Sequence, residues 1–323
     1  MTGSHVRPPF DAAVARALDE FSELIVTGES AADISWVREL AAPFSMAELT
    51  MHGAFTREER VLTRPAGGAE ISVVVYTPVG AKRPTPVLLH LHGGGMIAGH
   101  ADSDTPGLTQ LMADTGCALV VLDYRLAPEH PYPAALEDAT MVLAWLAGPD
   151  SPATIDSERI ILSGVSAGGG LAATTALYAR DHDGPPLAGL LLMCPMLDNR
   201  SDSVSARQME GAGSWDRVAN AAGWSAYLEL DAQDGEVSPY ASASRSTDYS
   251  NLPPTFIDVG SAETFRDECV AFATETWIAG GDAELHVWPG GTHGFDFLAP
   301  WAPMSRDARV ARTAWLRRLL THI

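Results

Sequence analysis

Along residues 11–26 the apolar positions Val14, Leu18, Phe21 and Ile25 recur on one helical stripe, flanked by Asp19, Glu20 and Glu23. A second short helix is predicted over 33–40, ended by Pro43. No strand precedes this helical arm, so it must cover something made later in the chain. From about Thr56 the pattern changes. Strands are predicted at 59–64, 71–76, 87–92, 118–123, 160–163, 189–193, 255–259 and 284–288, and helices at 105–115, 134–146, 166–180, 262–279 and 303–320. Two opening strands followed by repeated β-α-β units read as a mixed sheet that becomes parallel. The apolar runs 86–91 and 117–122 suit strands covered on both faces, and right-handed crossovers put helices on both sides. The pattern is interrupted over about 197–254, where a Trp- and Tyr-bearing helix at 215–230 precedes a Ser-rich stretch at 238–250. Compact domains rarely hold so long a connection unless it serves a site.

Composition narrows the class. Hydrophobic residues are 46% and charged residues 19% of the 323 residues, enough for a large core and against general disorder. A formal charge of −20 repels phosphate backbones and anionic lipid, so neither nucleic acid nor a membrane surface is the expected partner; the excess acid reads as solubility. Cys117, Cys194 and Cys269 lie far apart, without C-x-x-C spacing, which argues against a disulfide framework and a zinc site. No stretch approaches 18 apolar residues, and the first 20 residues hold no apolar leader core, so a soluble, cytoplasmic protein is expected.

Two motifs carry chemistry. Gly164-Val165-Ser166-Ala167-Gly168 follows the strand-like 160–163 and opens a run of helix formers. This G-x-S-x-G pattern marks a nucleophile elbow, whose tight strand-to-helix turn leaves no space for flanking side chains. His92-Gly93-Gly94-Gly95 ends the predicted third strand. Acyl transfer builds negative charge on a carbonyl oxygen, and backbone N–H groups can be aimed at it where side chains do not intrude. The expected oxyanion donors are Gly93, Gly94 and Ala167. His90 and His92 share a strand face, but two ligands without a third in reach make no metal site.

These two motifs, with the run from Asp123 to Ala134 and with Gly291-Thr292-His293-Gly294-Phe295, resemble the hormone-sensitive-lipase-like bacterial carboxylesterases of the α/β-hydrolase fold. The likeness extends from about residue 56 to the end of the sequence. Residues 164–171 and 240–254 are most similar to members of the heroin-esterase type. The resemblance implies an α/β fold with a mostly parallel eight-stranded sheet. It also implies an N-terminal helical cap segment (1–55), and a catalytic domain (56–323) carrying a cap insertion at about 197–254.

Nucleophile, acid, histidine is the chain order of this fold. His293 stands alone in a loop after the last strand. The acid falls after the seventh strand, where relatives commonly read Asp-Pro-Leu-Arg-Asp-Glu; here Glu263 to Glu268 puts a glutamate at the acid position. Glu263 is therefore the expected acid and Asp267 the alternative. Val165 is a second departure, since many relatives carry Asp there. Arg125 and Asp138 are expected to brace loops by pairing.

The expected activity is serine-dependent hydrolysis of short- to medium-chain or small-molecule esters, with no metal or organic cofactor. Trp36, Phe44, Met96, Trp215, Trp224 and Tyr227 are candidates for the pocket wall. Family habit also suggests a homodimer. Two alternatives stay open: lactone, amide or natural-product acyl hydrolysis on the same triad, and a non-catalytic receptor on the same fold.

Overall fold

The computed structural model describes residues 6–25, 27–28, 33–39, 44–63, 70–229 and 236–322. Its strands are β1 (Phe55–Leu62), β2 (Ile71–Pro78), β3 (Thr85–Leu91), β4 (Ala118–Leu122), β5 (Ile155–Val165), β6 (Gly189–Met193), β7 (Thr255–Gly260) and β8 (Ala283–Trp288). They form one sheet in the order β1-β2-β4-β3-β5-β6-β7-β8. Only the β1–β2 and β2–β4 pairs are antiparallel; the rest are parallel. Every residue of β4, β6 and β7 is buried, the pattern of strands covered on both faces.

Helices α1 (Ala12–Glu20), α2 (Ile34–Glu39), α3 (Met46–Leu49), α4 (Thr105–Thr115), α5 (Ala134–Ala147), α6 (Ala167–Asp181), α7 (Val204–Gln208), α8 (Arg217–Leu228), α9 (Arg266–Ile278), α10 (Phe295–Leu298) and α11 (Pro303–His322) complete the elements that matter here. The pairs α5–α6 and α4–α11 pack together, and members of both flank the sheet. The leading arm covers the chain's far end, as its missing partner required. Val14 and Ala17 of α1 are buried against Phe295, Ala299 and Ala308, and Asp11 N–H donates to Gly290 O at 2.9 Å.

Four boundaries differ from the sequence pattern for identifiable reasons. The arm predicted over 11–26 is α-helical only to Glu20, followed by one 3-10 turn at Ser22–Leu24; Val26 lies outside the described residues. β1 begins earlier, at Phe55, because an edge strand accepts the polar run Thr56 to Arg60. β5 reaches back to Ile155 by pairing with Thr85, through a register shift that the polar residues Asp156 to Glu158 hide from periodicity. The helix expected from 262 starts only at Arg266, because the Glu263 carboxylate captures the N–H of Gly260 at 2.8 Å and holds 260–265 as a loop.

One buried ion cluster ties the end of β7 to the chain after His293. Arg312 of α11 pairs with Asp258 of β7 at 2.8 Å and with Asp296 of α10, and all three side chains are almost fully buried. Removing the cation leaves two carboxylates facing each other without water. Arg312→Met is expected to lose about 3–5 kcal/mol of unfolding free energy. A loss below about 1 kcal/mol in denaturant unfolding would show that the cluster is not needed.

Candidate active site

The nucleophile candidate is presented by strain. Ser166, between β5 and α6, has φ 56° and ψ −121°, a region that residues with side chains avoid. Its N–H donates to Met193 O and its carbonyl accepts from Gly170 and Met196, so the turn is held from three sides. Gly168 explains the motif's last position. A Cβ there would lie 1.9 Å from Leu91 O, so α6 reaches β3 this closely only with glycine.

Two loops bring the partners. The turn after β7 carries Glu263, and the loop after β8 carries His293. Ser261 N–H donates to Trp288 O, and Ala262 N–H to Gly291 O, so the two loops are bonded to each other. The result is a chain of hydrogen bonds. Ser166 Oγ lies 2.9 Å from His293 Nε2, and His293 Nδ1 lies 3.1 Å from Glu263 Oε1. Glu263 is 1% exposed, and its other oxygen is the one that takes the Gly260 N–H. The Phe265 ring stands edge-on to the imidazole at 4.9 Å. Asp267 is turned elsewhere: it accepts from Ser205 N–H and from Arg266 Nε, each at 2.8 Å.

The glycine loop is fixed peptide by peptide. The His92 carbonyl accepts from Tyr124 OH at 2.8 Å, and the Gly93 carbonyl from the ring of His92, Nδ1 at 2.7 Å. The Gly94 carbonyl accepts from the N–H groups of Ile97 and Ala98. Burial lowers the His92 ring from the usual imidazole range, which favours the neutral form with the proton on Nδ1, the nitrogen that faces Gly93 O. Because a peptide's C=O and N–H point opposite ways, pinning the carbonyls of Gly93 and Gly94 aims the N–H groups of Gly94 and Gly95 outward. Neither N–H has a partner among the described residues, nor does that of Ala167. Gly94 itself is required, since at φ 120° its Cβ would meet Ala98 O at 2.1 Å.

Gly93 departs from the expectation. Its N–H is already engaged by Asp104 Oδ2 at 2.8 Å, so it is not a free oxyanion donor. The N–H of Gly95, in the same glycine run, is unpaired among the described residues, and the sequence analysis did not single it out.

The α/β-hydrolase family description (Abhydrolase_3) matches residues 88–297, a span that contains every group just described. Carboxylesterase NlhH of Mycobacterium tuberculosis is 34% identical over 255 residues, covering 79% of this chain and 80% of that protein. The chain belongs to the α/β-hydrolase family and is a carboxylesterase. Among solved structures, a bacterial heroin esterase superposes with a TM-score of 0.87 at 31% identity, covering 96% of this chain and 98% of that one. Esterase LipW from Mycobacterium marinum gives 0.83 at 32% identity, with 98% and 99% covered.

In this esterase a very narrow apolar cavity of about 10 Å³ is lined in part by Ala167. Met96, Leu171, Met196, Trp224, Tyr227 and Ala241 are among its walls. Three of the aromatic and methionine candidates from the sequence therefore meet there: Met96, Trp224 and Tyr227. Trp215 is buried against the glycine loop instead. A Cβ on Gly95 would lie 2.5 Å from its ring, and its carbonyl accepts from Thr264 on the acid loop at 2.8 Å. Trp36 and Phe44 are corrections. Trp36 packs half-buried on the main core through α2, away from the cavity walls. Phe44 is 38% exposed and lines a different groove with Pro106, Gly107 and Phe297, because α3 packs on α4. Leu171 and Met196 were not singled out in the sequence, where one is an ordinary helix residue and the other an ordinary strand exit.

Arg125 does pair with Asp138, at 2.9 Å, and so braces the loop after β4 against α5. Potential ligand atoms of Cys194, Glu263 and His293 lie within 4.8 Å of one another. Burial, with Glu263 adding to it, pushes the Cys194 thiol well above its usual range, so it stays protonated and is no competing nucleophile. No helix among the described residues is long and apolar enough to cross a membrane.

Proposed function

We propose that the chain hydrolyses small carboxylic esters through an acyl-enzyme on Ser166. The observation that carries this reading is the hydrogen-bonded series Ser166–His293–Glu263 beside three unpaired N–H groups. His293 Nε2 takes the proton as Ser166 Oγ attacks the ester carbonyl, and Glu263 holds the proton on Nδ1 and stabilises the imidazolium that forms. The N–H groups of Gly94, Gly95 and Ala167 receive the oxyanion. Collapse expels the alcohol, protonated by His293, and water repeats the sequence on the acyl-enzyme. No step calls on a metal or an organic cofactor.

The acyl group lies on the side of Ala167, where the walls Trp224, Tyr227 and Met196 leave little room, which supports short chains. In this reading the N-terminal segment 1–55 and the insertion 197–254 act as the cap. Two contacts support it: Arg38 of α2 donates to Ile97 O beside the glycine loop at 2.8 Å, and Ser214 bonds the histidine loop at His293 O. β8 has no strand on its outer side among the described residues, which leaves an edge for a second copy.

A panel of p-nitrophenyl esters tests the acyl pocket. We expect kcat/KM to peak between about two and six acyl carbons and to fall at least about tenfold by twelve. A dodecanoyl ester cleaved as well as the butanoyl ester would overturn the assignment of this cavity.

A further inference from the structure

Next to the glycine loop lies a second buried polar cluster that the triad does not use. His90 of β3 faces Ser163 of β5 in register, with Nδ1 and Oγ 2.9 Å apart. His90 Nε2 lies 3.2 Å from Asp104 Oδ2, at the start of α4. Ser, His and Asp thus recur as a set, yet Ser163 and His90 are fully buried and no substrate can reach them. The informative contact is the last one. The oxygen that receives His90 is the same Oδ2 that receives the N–H of Gly93 at 2.8 Å.

Burial works to raise the Asp104 carboxyl, but the hydrogen bond and charge of His90, with the Gly93 N–H, hold it below the usual carboxylate range. A charged acceptor makes a hydrogen bond about twice as strong as a neutral one. Of the contacts that pin the loop from His92 to Gly95, Asp104 provides the one from a carboxylate, and it acts on the peptide just before the proposed oxyanion donors. Without it the Gly93 N–H is part-buried and unpaired, and the peptide it belongs to is free to turn.

We propose that Asp104, oriented by His90, is a positioning residue that locks Gly93 so that the N–H groups of Gly94 and Gly95 meet the oxyanion already aimed. The inference rests on the acyl-enzyme reading above. It assigns a purpose to His90, which the sequence offered only as half of a metal pair. It also separates geometry from charge. Asn at 104 keeps an oxygen for both donors and removes the negative charge, whereas Ala removes both.

The experiment compares Asp104→Ala with Asp104→Asn in the full chain, using p-nitrophenyl acetate and a trifluoromethyl ketone that forms a tetrahedral adduct on the serine. Asp104→Ala is expected to lower kcat about 10–100-fold with KM within about twofold. Affinity for the ketone should fall by a similar factor, and Asp104→Asn should recover to within about fivefold of the parent. The inference is overturned if Asp104→Ala keeps kcat within threefold, if the loss is confined to KM, or if Asn is as damaging as Ala. If Asp104→Ala does not fold, His90→Phe carries the test: it keeps the ring volume and removes the orienting donor. It should lower kcat at least threefold at unchanged KM, and an unchanged kcat refutes the inference. A parent enzyme that is not labelled at Ser166 by a fluorophosphonate refutes the underlying reading instead.

Discussion

Ser166→Ala is expected to reduce ester turnover by about 10⁴-fold or more while leaving the fold intact. The loss is large because no other nucleophile stands ready. The Cys194 thiol lies within 4.8 Å of ring or carboxylate atoms of His293 and Glu263, and it is held protonated by burial. The residual rate should resemble what the N–H groups of Gly94, Gly95 and Ala167 give to attack by water alone. Thermal unfolding of the variant should match the parent, since the Ser166 backbone, not its hydroxyl, carries the turn's bonds to Met193, Met196 and Gly170. Activity above a tenth of the parent value would sink the covalent mechanism.

Glu263→Gln is expected to cost about 10²–10⁴ in kcat, for a reason that follows from its two partners. One oxygen accepts the Gly260 N–H and the other faces His293 Nδ1. Glutamine has one oxygen and one NH₂. If the oxygen stays with Gly260, the NH₂ faces Nδ1 and forces the imidazole into the tautomer whose Nε2 proton blocks Ser166. If the amide is reversed, two donors meet at Gly260 instead. Neither arrangement preserves both bonds. Asp267→Asn should cost less than about tenfold, because Asp267 spends its oxygens on Ser205 and Arg266. Glu263→Asp should be intermediate, the shorter chain falling short of one partner. A larger loss from Asp267→Asn than from Glu263→Gln, in steady-state kinetics at one pH, would reverse the acid assignment and leave the hydrolase reading standing.

The parts of this site legible in the sequence are those where backbone approach forbids a side chain. Gly168 against Leu91 O and Gly94 against Ala98 O are such contacts, and they are what make the two motifs recognisable. Parallel strands with uninterrupted apolar runs were legible for the same kind of reason, since β4 and β6 are buried on both faces. What could not be read depends on where distant side chains arrive. Asp104 stands 11 residues beyond Gly93, and only the packing of α4 brings its carboxylate to that N–H. Gly93 therefore looked like a free donor. Residue type points Trp36 and Phe44 to the pocket, but α2 carries Trp36, and the segment entering α3 carries Phe44, elsewhere. The start of α9 was missed because a side-chain bond from Glu263, invisible to periodicity, delays the helix. That bond keeps Glu263 on a loop bonded to the loop that carries His293.

The most direct test of the covalent reading is stoichiometric labelling with a fluorophosphonate, followed by peptide mass analysis and residual activity on the same sample. The reading predicts one adduct per chain, carried on the peptide containing Ser166, with esterase activity lost in proportion to labelling. Full turnover in a completely labelled sample, or inactivation with the adduct on another residue, would contradict it.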